Sequence, residues 1–372
     1  MSFRANCPTH GLSATAPPFL RRNAMPRMPH PICRVLWFCL ALPAIAAAAP
    51  AAGDLPEILK RGELRHIGVP YAKFVTGSGD GFSCDLIREF AQELGVRYVY
   101  VRSSWKTVIN DLIGQGFTVN GDEIVITGET PVTGDLIASG LTILPWRQKL
   151  LDYSRPTFPS GVWLIARADS ALQPITPSGD LRLDIAQVKA LLEGRSVLCM
   201  PGTCLDPALY GLNDTGATLV PLPLKMNEFA PAVINGSAET SLLDVADSLI
   251  AMEKWPGKIK VVGPISELQS MGVGFPKTSP RLLSRFNTFL DRIQKDGTYM
   301  QLVEKYYPGV EVYFPEFFNF DGPVKSRKPD GFEKSSRSRR ANFSGVRRIY
   351  YAAETSRCSA TRKLGFFWNC QF

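Results

Sequence analysis

The apolar positions between residues 64 and 139 change period as the chain proceeds. Leu64 to Val69 (LRHIGV) alternates in part and is bounded by Gly62 and Pro70, which predicts a first strand. Leu86, Ile87, Phe90 and Leu94 then recur at helical spacing over Cys84 to Leu94, and Gly95 supplies the stop. Arg97 to Arg102 (RYVYVR) alternates as a strand. Trp105 to Ile113 returns to helical spacing with Ser104 as its candidate N-cap, and Asp135 to Ser139 reads as a third strand. This β-α-β-α-β order is that of a parallel sheet covered by helices.

A second set follows. Gly161 to Ala166 (GVWLIA), Ser196 to Met200, Thr218 to Leu222, Thr240 to Asp244 and Lys258 to Val262 read as strands. Helices are expected over Cys204 to Leu212, over 226–234 and over 246–254. Gly272 to Pro276 adds a strand. Leu282, Phe286, Phe289, Leu290 and Ile293 form the apolar stripe of a helix over Arg281 to Lys295, and a shorter helix covers Tyr299 to Tyr306. The pattern is therefore α/β throughout, in two groups.

Composition changes this picture at the ends. The 372 residues carry a net charge of +8, but the first 50 contribute +5 and residues 322–372 contribute +9, so the stretch between them is acidic at −6. The basic balance is a terminal property and gives no argument for a nucleic-acid-binding core. Arg27 and Arg34 precede the ten-residue apolar run Val35 to Ala44, and Ala46 to Ala49 offers small-residue cleavage sites. Residues 25–49 thus read as a signal peptide, with 1–24 upstream of a start at Met25 or Met28. The run is too short to span a bilayer, so a periplasmic location is expected. Residues 322–372, rich in Ser, Arg and Lys without apolar period, read as a disordered tail. Of eight cysteines, Cys84, Cys199 and Cys204 fall in the central stretch. Cys199 and Cys204 are either bridged across CMPGTC or two buried thiols. No C-x-x-C pair is present, so no metal site is expected.

Residues 134–158 (GDLIASGLTILPWRQKLLDYSRPTF) carry Asp135, Gly140, Thr142, Arg147, Asp152, Tyr153 and Ser154 in an order that resembles the family 3 extracellular solute-binding proteins, the amino-acid receptors of ABC importers. Other segments match in register: YAKF at 71–74, GFSCDLIREFAQELGV at 81–96, EGRSVLCMPGT at 193–203, LLDVADSLIAM at 242–252 and KDGTYMQLVEKYYPG at 295–309. The resemblance implies a two-lobed, type II periplasmic-binding-protein-like fold with a ligand cleft between lobes. Lobe 1 would comprise 54–158 and 271–314, lobe 2 would comprise 160–269, and two crossing strands would form a hinge that closes around ligand.

The same resemblance implies a site. Arg147 would take the ligand carboxylate with its planar fork. Gly202 and Thr203, ahead of the helix expected from Cys204, would add backbone N–H groups. Asp244, at a strand end, would take an ammonium, with Asp247 as its rival. Thr142 and the Gly140 carbonyl would complete that end, and Tyr71 and Trp105 would lie against the ligand's side chain. The acidic residue that receptors for basic amino acids carry after the first strand is missing here, which argues against a cationic side chain. About 17 residues, roughly 115–133, are extra before Asp135, with no role evident in the sequence.

The function implied is periplasmic binding of a small, carboxylate-bearing, amino-acid-like solute by a monomer that delivers it to an ABC permease in the inner membrane. No cofactor, catalytic residue or nucleic-acid partner is expected. The alternatives are an accessory or sensory solute-binding protein, for example beside a periplasmic dehydrogenase, and a dehydratase on the same fold. His66 is the one histidine past the signal, and it falls inside the first strand, where a structural role is expected.

Overall fold

The computed structural model describes residues 53–120, 123–222 and 225–320. The segment read as a signal peptide and the basic tail both lie outside the described residues.

Helix α1 (Leu55–Arg61), with Pro56 in its first turn, ends at Gly62, whose φ of 73° closes the helix and turns the chain into β1 (Glu63–Gly68). Helix α2 (Phe82–Leu94) leads to β2 (Arg97–Arg102), which lies parallel to β1. Helix α3 (Val108–Ile113) begins three residues later than its apolar spacing predicts. Residues 105–107 form a turn, Ser104 Oγ pairs with Thr107 Oγ1 at 3.0 Å, and Thr107 stands at the N-cap instead of Ser104. Strands β3 (Gln115–Asn120) and β4 (Glu123–Glu129) form an antiparallel hairpin that joins neither large sheet. Then come β5 (Leu136–Thr142), the short α4 (Pro145–Gln148), β6 (Leu151–Tyr153) and β7 (Phe158–Ser160).

The next elements build a second sheet. They are β8 (Val162–Arg167), α5 (Leu181–Ala190), β9 (Ser196–Cys199), β10 (Thr218–Pro221), α6 (Phe229–Ile234), β11 (Thr240–Asp244), α7 (Val245–Lys254) and β12 (Ile259–Pro264). The chain returns through β13 (Gln269–Pro276) and finishes with α8 (Pro280–Lys295), α9 (Thr298–Tyr306) and α10 (Val310–Tyr313). The helix expected over Cys204 to Leu212 does not form. Two short 3-10 turns, Pro207–Tyr210 and Leu212–Asp214, replace it, and Asp206 caps the first of them. Pro207 has no N–H to give a helix interior and Gly211 adopts φ 61°, so an α-helix through both is disfavoured.

The first sheet has the order β2-β1-β5-β13-β6, with β7 also pairing on β13. Strand β13 runs antiparallel to β5 and β6, although it arrives from beyond the second sheet. The second sheet has the order β10-β9-β11-β8-β12, and β8 is antiparallel to both of its neighbours. The connections β7–β8 and β12–β13 are therefore the two crossings between sheets. This is the two-lobed type II architecture, with α/β layers in each lobe.

Two ties hold lobe 1 together. Asp135, fully buried, accepts from Arg65 N (2.8 Å), Arg65 Nη2 (2.8 Å) and Arg61 Nη2 (2.5 Å). Asp85 on α2 accepts from Lys305 Nζ (2.7 Å) and Tyr306 Oη (2.6 Å) on α9. Phe82, Phe158 and Tyr299 then pack edge to face beneath that second contact.

Candidate functional site

Arg147 lies in the single turn of α4, which Pro145 opens after the extended Leu144. It is 3% exposed. Its Nη1 donates to the Thr142 carbonyl at 3.1 Å, its Nε is buried without a partner, and its guanidinium stands 5.2 Å from the Trp146 ring centre. Among the described residues no carboxylate pairs with it. It faces a cavity of about 400 Å³ whose walls come from both lobes and from the β3–β4 hairpin. Lobe 1 contributes Trp105, Leu141 and Trp146, the hairpin contributes Phe117 and Val119, and lobe 2 contributes Met200 to Thr203. That volume is in the range of small-molecule sites.

The predicted residues divide into two groups. Arg147, Trp105, Gly202 and Thr203 share the cavity wall. Tyr71, Asp244, Gly140 and Thr142 lie behind it. Thr142 is buried with its Oγ1 unbonded, and the Cys204 thiol faces it together with Arg147 and Asp244. Gly140 has φ 65°, and a Cβ there would come within 2.5 Å of the Phe74 ring, so glycine is required for packing as well as backbone. The helix N-terminus expected after Thr203 is absent, and the nearby donors are engaged locally. Gly202 N donates to Asp206 Oδ2 at 2.8 Å, and Thr203 Oγ1 bridges the Met200 carbonyl (2.7 Å) and Leu205 N (3.1 Å).

Asp244 ends β11 and caps α7, its Oδ1 accepting from Asp247 N at 2.9 Å. Its Oδ2 accepts from Tyr71 Oη, across the two lobes. The two residues after Tyr71 also reach lobe 2: Ala72 N donates to Asn227 Oδ1 (2.9 Å) and Lys73 Nζ to Glu253 (2.7 Å). Ala72 adopts φ 46°, a left-handed conformation that costs a non-glycine residue energy. Residues 71–73 thus form a clasp between lobes.

Burial, opposed by the bonds from Tyr71 and the Asp247 amide, pushes the Asp244 carboxyl up to about 6. Asp247 is pushed up too, by burial and by the neighbouring Asp244 charge. An unfolded aspartate releases its proton near pH 3.9. Across roughly pH 4 to 6 the native protein therefore holds a proton that the unfolded chain has lost. Stability from this group falls over that window, by up to about 3 kcal/mol, and stays level above it. Asp244→Asn keeps an acceptor for Tyr71 and a good cap. The variant is expected to melt higher than the parent at pH 7.5 and equally near pH 4; a lower melting point at pH 7.5 would contradict the desolvation argument.

His66 is away from the cavity, inside lobe 1. Its Nε2 donates to the Ala138 carbonyl (2.7 Å) and its Nδ1 accepts from Tyr98 Oη (2.9 Å). Burial lowers it to about 4, so it is neutral at ordinary pH and both nitrogens are engaged. Cys84, Cys199 and Cys204 are all free and buried. Burial raises the Cys199 and Cys204 thiols to about 11 and 12, which leaves them protonated and unreactive.

Sequence reasoning left the hairpin without a role, yet it supplies two cavity residues. Its signal was legible. Phe117 and Val119 alternate with Thr118 and Asn120, the β-branched run Ile124-Val125-Ile126 follows, and the polar Asn120-Gly121-Asp122-Glu123 lies between them, a short-hairpin pattern. Asn120 pairs with Glu123, so the connection is the two residues Gly121 and Asp122.

Residues 132–309 match the bacterial extracellular solute-binding proteins, family 3. A curated relative, a membrane-bound lytic murein transglycosylase F of Desulfosudis oleivorans, is 27% identical over 254 residues, which is 67% of this chain and 49% of the relative. The chain thus spans about half the length of that protein. Among solved structures, a mutant of ArgBP from T. maritima is 25% identical, with a TM-score of 0.54 over 68% of this chain and 98% of its own. The ancestral amino acid-binding protein AncCDT-1, a precursor of cyclohexadienyl dehydratase, is 27% identical, with a TM-score of 0.52 over 68% and 98%. Strand order, cleft position and these likenesses agree with that match, and residues 132–309 carry the pattern of the family 3 bacterial extracellular solute-binding proteins.

Proposed function

We propose that this protein binds a small carboxylate-bearing solute, an amino acid or a close relative of one, in the cavity between its lobes, and delivers it in the periplasm to an ABC importer of the inner membrane. One observation carries the reading: a buried guanidinium with a single backbone bond, an unpartnered Nε and no acidic partner, facing a cavity between the lobes. A buried cation in that state is poised for an anion, and a carboxylate matches its fork with two parallel bonds. Gly202 and Thr203 share the cavity wall with Arg147, and Thr142, behind that wall, keeps an unbonded Oγ1. An α-ammonium would reach Asp244 by taking the place of the Tyr71 hydroxyl. Trp105 would cover the ligand's side chain.

Binding without chemistry fits the side chains present. His66 is satisfied and remote, the thiols are protonated, and no acid lines the cavity. The matching family is one of solute-binding proteins, and AncCDT-1, among the related structures, is an ancestral amino acid-binding protein. Among the described residues no helix is long and apolar enough to cross a membrane.

The test is a thermal-shift screen of amino acids and small carboxylates, followed by calorimetry and product analysis. A true ligand binds one per chain, is recovered unchanged, and at a hundredfold excess over Kd stabilises the fold by about 2.7 kcal/mol. A screen in which no carboxylate shifts the melting point, or one in which the ligand is converted, would overturn the reading.

A further inference from the structure

The cavity that holds Arg147 has an unusual lining for a receptor of zwitterions. Its two charged residues, Arg147 and Lys106, are both cationic, and no acid contributes to its walls. Asp206, the carboxylate on the adjoining loop, is turned onto Gly202 N. Asp244 is covered by Tyr71 Oη and Asp247 N. A ligand's cationic side chain would therefore meet two positive charges and no partner in this space.

The remainder of the lining is apolar, and the hairpin makes it so. In the β3–β4 pair Phe117 faces Ile126 and Val119 faces Ile124. Directly opposed residues share a face of a sheet, so these four lie together, and Phe117 and Val119 line the cavity. Phe117 also packs 6.1 Å from the ring of Trp146, next to Arg147. Val119 is 37% exposed and Ile126 is 48% exposed, so this apolar face remains half open at the cavity's edge. The hairpin is anchored at its base, where Thr130 N donates to the Gly114 carbonyl at 2.9 Å and Thr133 N to the Asp111 carbonyl at 2.8 Å.

We infer that the β3–β4 hairpin is a specificity wall, and that the ligand class is a monocarboxylate with an apolar, aromatic or branched body and no cationic side chain. This rests on the binding function proposed for Arg147 and narrows it. The carboxylate pairs with Arg147, Lys106 adds positive potential at the rim, and the body of the ligand lies between Trp105 on one side and Phe117 and Val119 on the other. Its chemistry differs from that of arginine, the ligand bound in several structures similar in fold.

The full chain is titrated by calorimetry with 3-phenylpropanoate, L-phenylalanine, propanoate, L-arginine and L-lysine. The expected order puts at least one of the two phenyl compounds first, with arginine and lysine at least a hundredfold weaker. Phe117→Ala should weaken that phenyl ligand about tenfold or more while leaving propanoate unchanged, and Val119→Asp should act in the same direction. Lys106→Glu should narrow the gap to arginine. Melting curves of each variant show whether it folds, and Val119→Asp serves if Phe117→Ala does not. Arginine or lysine binding as tightly as the phenyl compounds overturns the inference. So does an equal effect of Phe117→Ala on phenyl and propanoate ligands, which would leave the apolar hairpin face to a protein partner. If carboxylates bind through Arg147 but prefer no apolar body, the inference alone fails. If none binds and Arg147→Ala changes nothing, the proposed function fails with it.

Discussion

Replacing Asp135 with alanine is expected to lower folding stability by roughly 3–5 kcal/mol, the largest single-residue effect on stability anticipated here. The carboxylate has no exposure and accepts from one backbone N–H and two guanidinium groups. Removing it takes from Arg65 and Arg61 the buried carboxylate they share, and strips an acceptor from Arg65 N, where β1 and β5 run side by side. Asp135→Asn keeps one acceptor but loses the charge, so about half the loss is expected. Urea denaturation measures both, and a double-mutant cycle with Arg65→Ala should show strong coupling. A loss below about 1 kcal/mol for Asp135→Ala would mean that water or relaxation replaces the network. Because the cavity is elsewhere, the folded fraction of Asp135→Asn should keep its ligand affinity.

That result bears on what the sequence could say. Asp135, Asp85 and the segment ending at Tyr306 stand out as motifs of a binding family, yet each of these residues does structural work. Asp85 and Tyr306 meet because α2 packs on α9, which explains how segments some 220 residues apart form one signature. Helix periods were readable where one face is buried, as along α8. They failed where proline and glycine override spacing, as at Pro207 and Gly211, and that failure removed the helix N-terminus expected behind Thr203. Residues 71–73 could not be read as an inter-lobe clasp, because Tyr71, Ala72 and Lys73 find Asp244, Asn227 and Glu253 only through the tertiary fold. The hairpin was legible from Gly121-Asp122 between two short β-branched and aromatic runs. Its contact with the cavity was not, since that depends on where β5 and α4 place Trp146.

Arg147 presents the opposite energetics to Asp135, and the contrast makes its role testable. A structural arginine in a protein interior is matched by carboxylates, as Arg65 is by Asp135. Arg147 is equally buried but has one backbone bond and an unpartnered Nε. Desolvating that charge costs the ligand-free fold energy that the Thr142 carbonyl, the Trp146 ring and the Tyr153 hydroxyl return only in part, since none of them is charged. Arg147→Met, which refills the volume without the charge, should therefore leave ligand-free stability unchanged or raised. Ligand affinity should fall by about 2–5 kcal/mol, since the variant leaves a desolvated carboxylate unpaired. That corresponds to a loss of roughly thirtyfold to several thousandfold in Kd. Arg147→Lys keeps the charge without the fork and should lie between. Melting curves without ligand and calorimetry with the best carboxylate from the screen separate the two quantities. A variant that loses several kcal/mol of stability while binding as before would show Arg147 to be a core residue, and the cleft would need another anchor.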